Sequence, residues 1–377
     1  AGPTKRGEIF LLDRRTGVPI YDTPEKPVPQ NPAKGEVVTA TQPFSPLPHF
    51  RDDRIEQDMW GLTPLDQLHC RIEFKKMRYD GHFTPPMEGG GGYGLAEETW
   101  GGTFQYPGNA GGFNWGSVSV DPDNGLLIGA PMLMGNRIVM RSLEARAADA
   151  KRNADRRAEQ AAKKGTPAGG APAAGVRPGS SPPVAPGARG TPGGGQVFDQ
   201  NRVLYRGDTA PFMSTWRMPL PFFNAETALP CFEPPFSVIG VMDLNTNKLL
   251  WKRAIGSLKE SGPFGIAMGI TAQVGTPVQA GVLSTRGGLI FDGGAMDSTF
   301  RAFDLRTGAV KWESPLPGSA HATPMSYVGK NGKQYVLITI PNPSWRYPRS
   351  SSDQPTDDEG GYLIAYAPPD QPGHYGG

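Results

Sequence analysis

The side chains able to carry chemistry are few and far apart in this 377-residue chain. Two cysteines, Cys70 and Cys231, and five histidines match no zinc-ligand spacing. The cysteines are compatible with two buried thiols or with one disulfide, and their spacing does not choose between them. His69 and His82 read as structural histidines. The glycine-dense stretch EGGGGYGLAEETWGG, in residues 88–112, lacks the GK[ST] ending and the strand-to-helix context of a phosphate cradle. It reads as a loop. Two charged groups at turns remain. Lys5 opens the turn Lys5-Arg6-Gly7, and Asp297 lies between two strands in GGAMDSTFRAFD. By residue type alone these are a solvated lysine and an aspartate capping its own turn.

The elements that position them are strands. Residues 281–312 (GVLSTRGGLIFDGGAMDSTFRAFDLRTGAVKW) divide into short strands separated by tight turns, the last ending in Trp312. That is one blade-sized unit of antiparallel sheet. Residues 241–251 (VMDLNTNKLLW) and 303–312 (FDLRTGAVKW) share an Asp, a Thr, then Asn or Gly, and a closing Trp. A third copy, FLLDRRTGVPI at residues 10–20, keeps Asp13, Thr16 and Gly17 but has Ile20 near the tryptophan position. In such a turn the carboxylate accepts from backbone amides, and Gly or Asn tolerates positive φ. Units of this kind cannot bury their own faces, so they predict a propeller or solenoid. A tryptophan closing each unit would bury on the order of 150–250 Å² between neighbours.

The repeats resemble the tryptophan-docking units of quinoprotein dehydrogenases, which use pyrroloquinoline quinone (PQQ). The similarity is greatest to the membrane-bound glucose, quinate and shikimate type. It is carried by PTKRGEIFLLDRRTG, by DMWGLTPLDQLHCRIEFKKMRYDGHFTPP from Asp58, by GGFNWGSVSVDP from Gly111, and by residues 281–312. The resemblance implies an all-β fold, the C-terminal blades of an eight-bladed β-propeller. It assigns Lys5 and Asp297 as catalytic residues beside the quinone, with Lys5 stabilising charge on its oxygens and Asp297 holding the lysine in place. It assigns Asn114, Trp115 and Trp345 as further cofactor contacts. The family's Asn-Pro-Met run is here Ala130-Pro131-Met132, which removes one polar contact. Trp345 stands in a segment where relatives carry a Gly-rich turn.

What else the resemblance implies concerns the whole enzyme. Bound PQQ would oxidise a sugar, polyol or cyclic hydroxy acid, and ubiquinone would take the electrons. The substrate base and the ligands of a calcium or magnesium ion would precede Lys5, in a missing N-terminal portion, so no metal ligand is assigned in this chain. The expected location is the periplasmic face of the inner membrane, and the piece alone is expected to be inactive. The alternative is a non-catalytic propeller scaffold built from the same repeats.

Composition bounds the remainder. The formal charge of +2 gives no support to a nucleic-acid partner. No apolar run reaches the 18 or so residues of a membrane span. With 51 glycines and 40 prolines the chain suits a turn-dense β protein with an inserted segment. Blades are expected in residues 1–140 and 197–367, with a polar tail at 368–377. Residues 141–196 divide into a charged, Ala-rich helix without an apolar stripe and a Gly/Pro/Ala stretch expected to be disordered. Residues 67–74 are expected to form one helical turn followed by a strand.

Overall fold

The computed structural model describes residues 1–33, 36–51, 56–87, 102–108, 111–142, 212–215, 230–260, 268–278, 280–341 and 361–368, with scattered positions in 148–159. Among these, positions 148, 151–152, 154–156 and 158–159 are helical, within the segment expected to hold a charged helix. The rest of the insert lies outside the described residues.

The chain opens with β1 (Gly2–Pro3) and β2 (Ile9–Phe10), followed by the small ladder of β3 (Glu25–Pro27) and β4 (Thr41–Pro43). Helix α1 (Pro64–Lys75) comes next. Then follow β5 (Thr103–Gln105), β6 (Val118–Asp121), β7 (Leu126–Gly129), β8 (Asn136–Ser142), β9 (Phe212–Thr215), β10 (Val238–Asp243) and β11 (Lys248–Ala254). A short pair, β12 (Ser257–Leu258) and β13 (Ile270–Gln273), leads to β14 (Leu283–Ser284), β15 (Leu289–Asp292), β16 (Thr299–Asp304) and β17 (Val310–Pro315). β18 (Met325–Val328), β19 (Gln334–Ile340) and β20 (Tyr362–Tyr366) complete it.

Among the described residues, two sheets have four antiparallel strands, in the orders β6-β7-β10-β11 and β14-β15-β16-β17; a third has β18-β19-β20, and a further three-stranded sheet has β5-β8-β9. Residues 281–312 thus fold as the expected blade-sized unit. The sheets stack face to face. Leu126, Ile128, Ile239 and Val241 of the first meet Ile290 and Phe303 of the second. Phe300 of the second meets Val336, Ile338 and Ile340 of the third. The first sheet's other face, with Leu127, Val238 and Met242, packs on Ile9, Phe50, Phe104 and Phe232. Strand β10 is therefore buried on both faces, which is why VIGVMD is a continuous apolar run rather than an alternating one.

Four turns repeat one geometry. The Oδ1 atoms of Asp13, Asp121, Asp243 and Asp304 each accept from the amides two and three residues on. Each turn then passes through a left-handed residue: Gly17, Gly125, Asn247 or Gly308. Backbone bonds from Asn245 and from Thr307 hold the Asp243 and Asp304 carboxyls below the usual range. The Asp121 turn was not expected, because Pro122, Asp123 and Asn124 hide the Thr-Gly signature.

Aromatic side chains tie two of these turns, those of Asp304 and Asp243, to the preceding unit. Trp251 Nε1 donates to Leu305 O at 3.0 Å, and its ring lies so close on Gly308 that an added Cβ would come within 2.7 Å. Tyr21 OH donates to Leu244 O in the same way, one residue after the turn aspartate. Tyr21 thus takes the tryptophan's part in the first copy, while Ile20 is exposed. Trp312 packs edge-on against Phe300 and against Tyr366 of the third sheet.

One expectation is corrected. Residues 64–75 form a three-turn helix, not a helical turn and a strand. Thr63 and Asp66 form a reciprocal capping box with Pro64 in the first turn, a strong start signal. Leu65, Leu68 and Ile72 are exposed while Cys70 and Phe74 face the core, so apolar residues lie on both faces and blur the helical stripe. Cys70 on this helix is joined to Cys231, 161 residues away, which settles the open cysteine question as a disulfide.

That crosslink closes a long loop of the unfolded chain. Replacing both cysteines by serine is expected to lower unfolding stability by roughly 2–5 kcal/mol. Urea titrations of the two proteins check this, and an unchanged midpoint would contradict it.

Candidate functional site

An antiparallel meander opens its first and third links at one end and its second and fourth at the other. The turns of Asp121, Asp243 and Asp304 therefore share one rim. The opposite rim collects the link from β1 to β2, residues 111–117 before β6, residues 293–298 between β15 and β16, and residues 316–324 after β17. Lys5, Asn114, Trp115 and Asp297 all fall on these opposite-rim segments.

The first contact there joins Lys5 to Asn114. Lys5 Nζ donates to Asn114 Oδ1 across 109 residues of sequence. Backbone packing sets the pair. Phe113 N donates to Thr4 O at 3.2 Å, and Gly7 N to Thr4 O at 3.0 Å. Gly112 passes so close that an added Cβ would lie 1.9 Å from Lys5 O, and its φ of +66° independently favours glycine. Partial burial pulls the Lys5 amine below its ordinary value. Among the described residues its remaining two N–H donors engage no partner.

Trp115 follows directly. Its ring is 66% exposed, and its Nε1 donates to His321 O at 3.3 Å. Gly116 and Gly281 then touch backbone to backbone, with an added Cβ on Gly116 falling 1.9 Å from Gly281 N. Gly281 N donates to Thr323 Oγ1 at 3.2 Å, and Ser119 Oγ meets Ser284 Oγ at 2.7 Å between the first strands of the two four-stranded sheets. The rim is thus a continuous chain of contacts from residue 5 through 114–116 to 281 and 321–323.

Asp297 is placed differently from expectation. It is 1% exposed, and both its oxygens pair with Arg301, at 3.0 and 2.6 Å. Ser257 N and Oγ donate to Oδ2 at 3.0 Å each. Its cation is Arg301, four residues on at the start of β16, and not Lys5. Burial works against the Arg301 charge, but the bonds to Asp297 and Glu313 more than offset it and raise its pKa. Asp297 therefore ties β12 to the second sheet. Trp345 lies outside the described residues.

Two groups were missed. Asp292 is Arg301's cross-strand neighbour and is fully buried. Its Oδ2 accepts from Gly294 N at 3.2 Å, while Oδ1 has no partner. Desolvation pushes its carboxyl up to about 7. A strand-end Asp beside GG gave no hint of this, because its burial arises only when sheets pack. The second group surrounds His82, which accepts at Nδ1 from Arg51 at 3.2 Å and donates from Nε2 to Glu8 at 3.3 Å. Burial holds the His82 ring neutral, and it is the structural histidine expected.

Among the described residues, no three His, Cys, Asp or Glu side chains are placed to share a metal ion, and no helix is long and apolar enough to cross a membrane.

With this geometry in hand, comparison identifies the family. The family model "PQQ: Glucose/ethanol/alcohol dehydrogenase, beta-propeller domain" matches residues 1–190 and 195–336. This chain belongs to that β-propeller family of PQQ-dependent dehydrogenases. It is 36% identical to the quinoprotein glucose dehydrogenase of Escherichia coli, over 98% of this chain and 38% of that protein. It is 36% identical to the glycerol dehydrogenase large subunit of Gluconobacter thailandicus, over 89% of this chain and 39% of that one. A probable quinate dehydrogenase (quinone) of Xanthomonas campestris pv. juglandis is 33% identical, over 97% and 38%. The chain spans under two fifths of the length of each of these relatives.

Asp292 supplies a test of the site's electrostatics. A carboxyl whose folded value is raised from 3.8 to about 7 favours folding fully below its unfolded value, and that contribution is lost as pH rises through about 7. Asp292→Asn removes the titration. The stability of the unmutated protein relative to this variant is expected to fall by a few kcal/mol between about pH 4 and 8. Denaturant melts across that range check it, and a constant difference would contradict it.

Proposed function

We propose that this chain forms part of a PQQ-dependent dehydrogenase that oxidises a sugar, polyol or hydroxy acid. The observation that carries the reading is the Lys5–Asn114 pair, an amine and an uncharged amide locked together on one rim. These residues fit an anionic planar quinone: a cation with spare donors, an amide that does not titrate, and a glycine backbone where a side chain would intrude. When bound, PQQ accepts the two electrons released from the carbinol carbon.

The chain's own residues bind and orient. Lys5 keeps a proton at Nζ and directs its two remaining N–H groups toward developing negative charge on oxygen. Asn114 fixes the amine's position. Trp115 stands exposed beside them, and Trp345 remains a proposed cofactor contact. Asp297 acts at a distance, through Arg301 and Ser257, by holding the seam behind the rim. The base, the calcium or magnesium ligands and further blades belong to a portion N-terminal to Lys5, in keeping with the greater length of the relatives. The Cys70–Cys231 disulfide supports an oxidising compartment; the periplasmic face of the inner membrane and ubiquinone as electron acceptor are proposed from the family resemblance.

Lys5→Ala in the complete protein, loaded with PQQ, is expected to lower kcat/KM for dye reduction by roughly 100- to 1000-fold. Its melting temperature should stay unchanged, because the lysine side chain is exposed. Full activity in the variant would contradict the role given to Lys5. Failure of the unmutated protein to bind PQQ would favour the scaffold alternative.

A further inference from the structure

His321 lies on the same rim, in the link that follows β17, and nothing in the proposed reaction uses it. Its backbone oxygen receives the Trp115 indole. Its ring Nδ1 is buried without a hydrogen-bond partner, whereas Nε2 is neither bonded nor sealed off. A proton on Nδ1 would leave an unmet donor in the interior, and a doubly protonated ring would add an uncompensated charge. The less costly form therefore carries its proton on Nε2 and no charge. Burial pulls the imidazole below its ordinary value, in keeping with this. The result is an uncharged N–H donor on the residue whose backbone ties down the Trp115 Nε1, with the indole ring open to solvent.

We propose that His321 Nε2–H and the exposed ring of Trp115 form a substrate subsite for a neutral sugar or polyol, with His321 donating to a hydroxyl oxygen and so determining specificity. The inference rests on the dehydrogenase reading above. The indole supplies an apolar platform for the C–H face of the substrate, and the imidazole supplies the directional contact.

Two measurements test this. Nitrogen-resolved NMR of the His321 ring is expected to show the neutral, Nε2-protonated form between about pH 6 and 8, with its signals shifting on addition of glucose or glycerol. In the complete PQQ-loaded protein, His321→Ala is expected to raise KM for glucose or glycerol roughly 5- to 10-fold with kcat nearly unchanged. His321→Gln, whose amide nitrogen reaches a similar point, should recover most of that loss. A ring that charges near neutral pH, or an unchanged KM in the alanine variant, would overturn the proposal. Absence of PQQ-dependent turnover with every substrate would sink the dehydrogenase reading instead. The NMR titration then decides the subsite alone, and ring signals unmoved by either polyol would overturn it.

Discussion

The rim depends on backbone passing backbone with no room for a side chain. At Gly112 the loop before β6 lies against the carbonyl of Lys5, and at Gly116 it lies against Gly281. These approaches fix the loop from two sides. Everything of chemical interest hangs from it: Asn114 reaches the lysine, and Trp115 reaches the backbone of His321. A methyl group at Gly112 would overlap the Lys5 carbonyl, so the chain has to move there or the residue has to be glycine.

The two ends of the sheets divide the work. One end is closed by aspartate-capped turns that satisfy their own amides and receive Trp251 or Tyr21 from the neighbouring sheet. That end is self-contained and needs no ligand. The other end is made of links without such caps, where charged and polar side chains gather. Within that second end, Asp297 and Arg301 form a buried pair bonded to Ser257 and Glu313, so the seam tolerates charge because its charges are paired. Asp292 beside them is desolvated and lacks that satisfaction, and its carboxyl is pushed up to about 7.

The turns at Asp13, Asp243 and Asp304 were legible in the sequence because their cause is local: a carboxylate two and three residues before the amides it caps, then a residue that accepts positive φ. The strand runs of residues 281–312 and of the last sheet were legible for the same reason. The eight-blade count stays an expectation. Helix α1 was hidden by leucines and an isoleucine on its exposed face, although Thr63-Pro64-Leu65-Asp66 carried the start signal. Partners set by long-range packing were not legible by type or spacing. Cys70 meets Cys231 across 161 residues, and Lys5 meets Asn114 across 109. The resemblance placed those last two residues near one cofactor. It also set Asp297 beside Lys5, whereas that buried carboxylate pairs with Arg301, four residues on in β16. His321 escaped notice because its significance lies in a bond it does not make.

Close glycine packing positions the Lys5–Asn114 pair proposed to hold the cofactor. This positioning is tested most directly by comparing Gly112→Ala with Gly17→Ala in the complete protein, measuring stability and PQQ affinity together. Both glycines have positive φ, +66° and +76°, but Gly17 has nothing within 4 Å of an added Cβ. The alanine at 17 should cost about 1–2 kcal/mol for the left-handed backbone alone and leave PQQ binding intact. The alanine at 112 should cost more and weaken PQQ binding at least tenfold, since about 1.4 kcal/mol of misplacement suffices. Equal behaviour of the two variants, with PQQ affinity unchanged in both, would contradict the account.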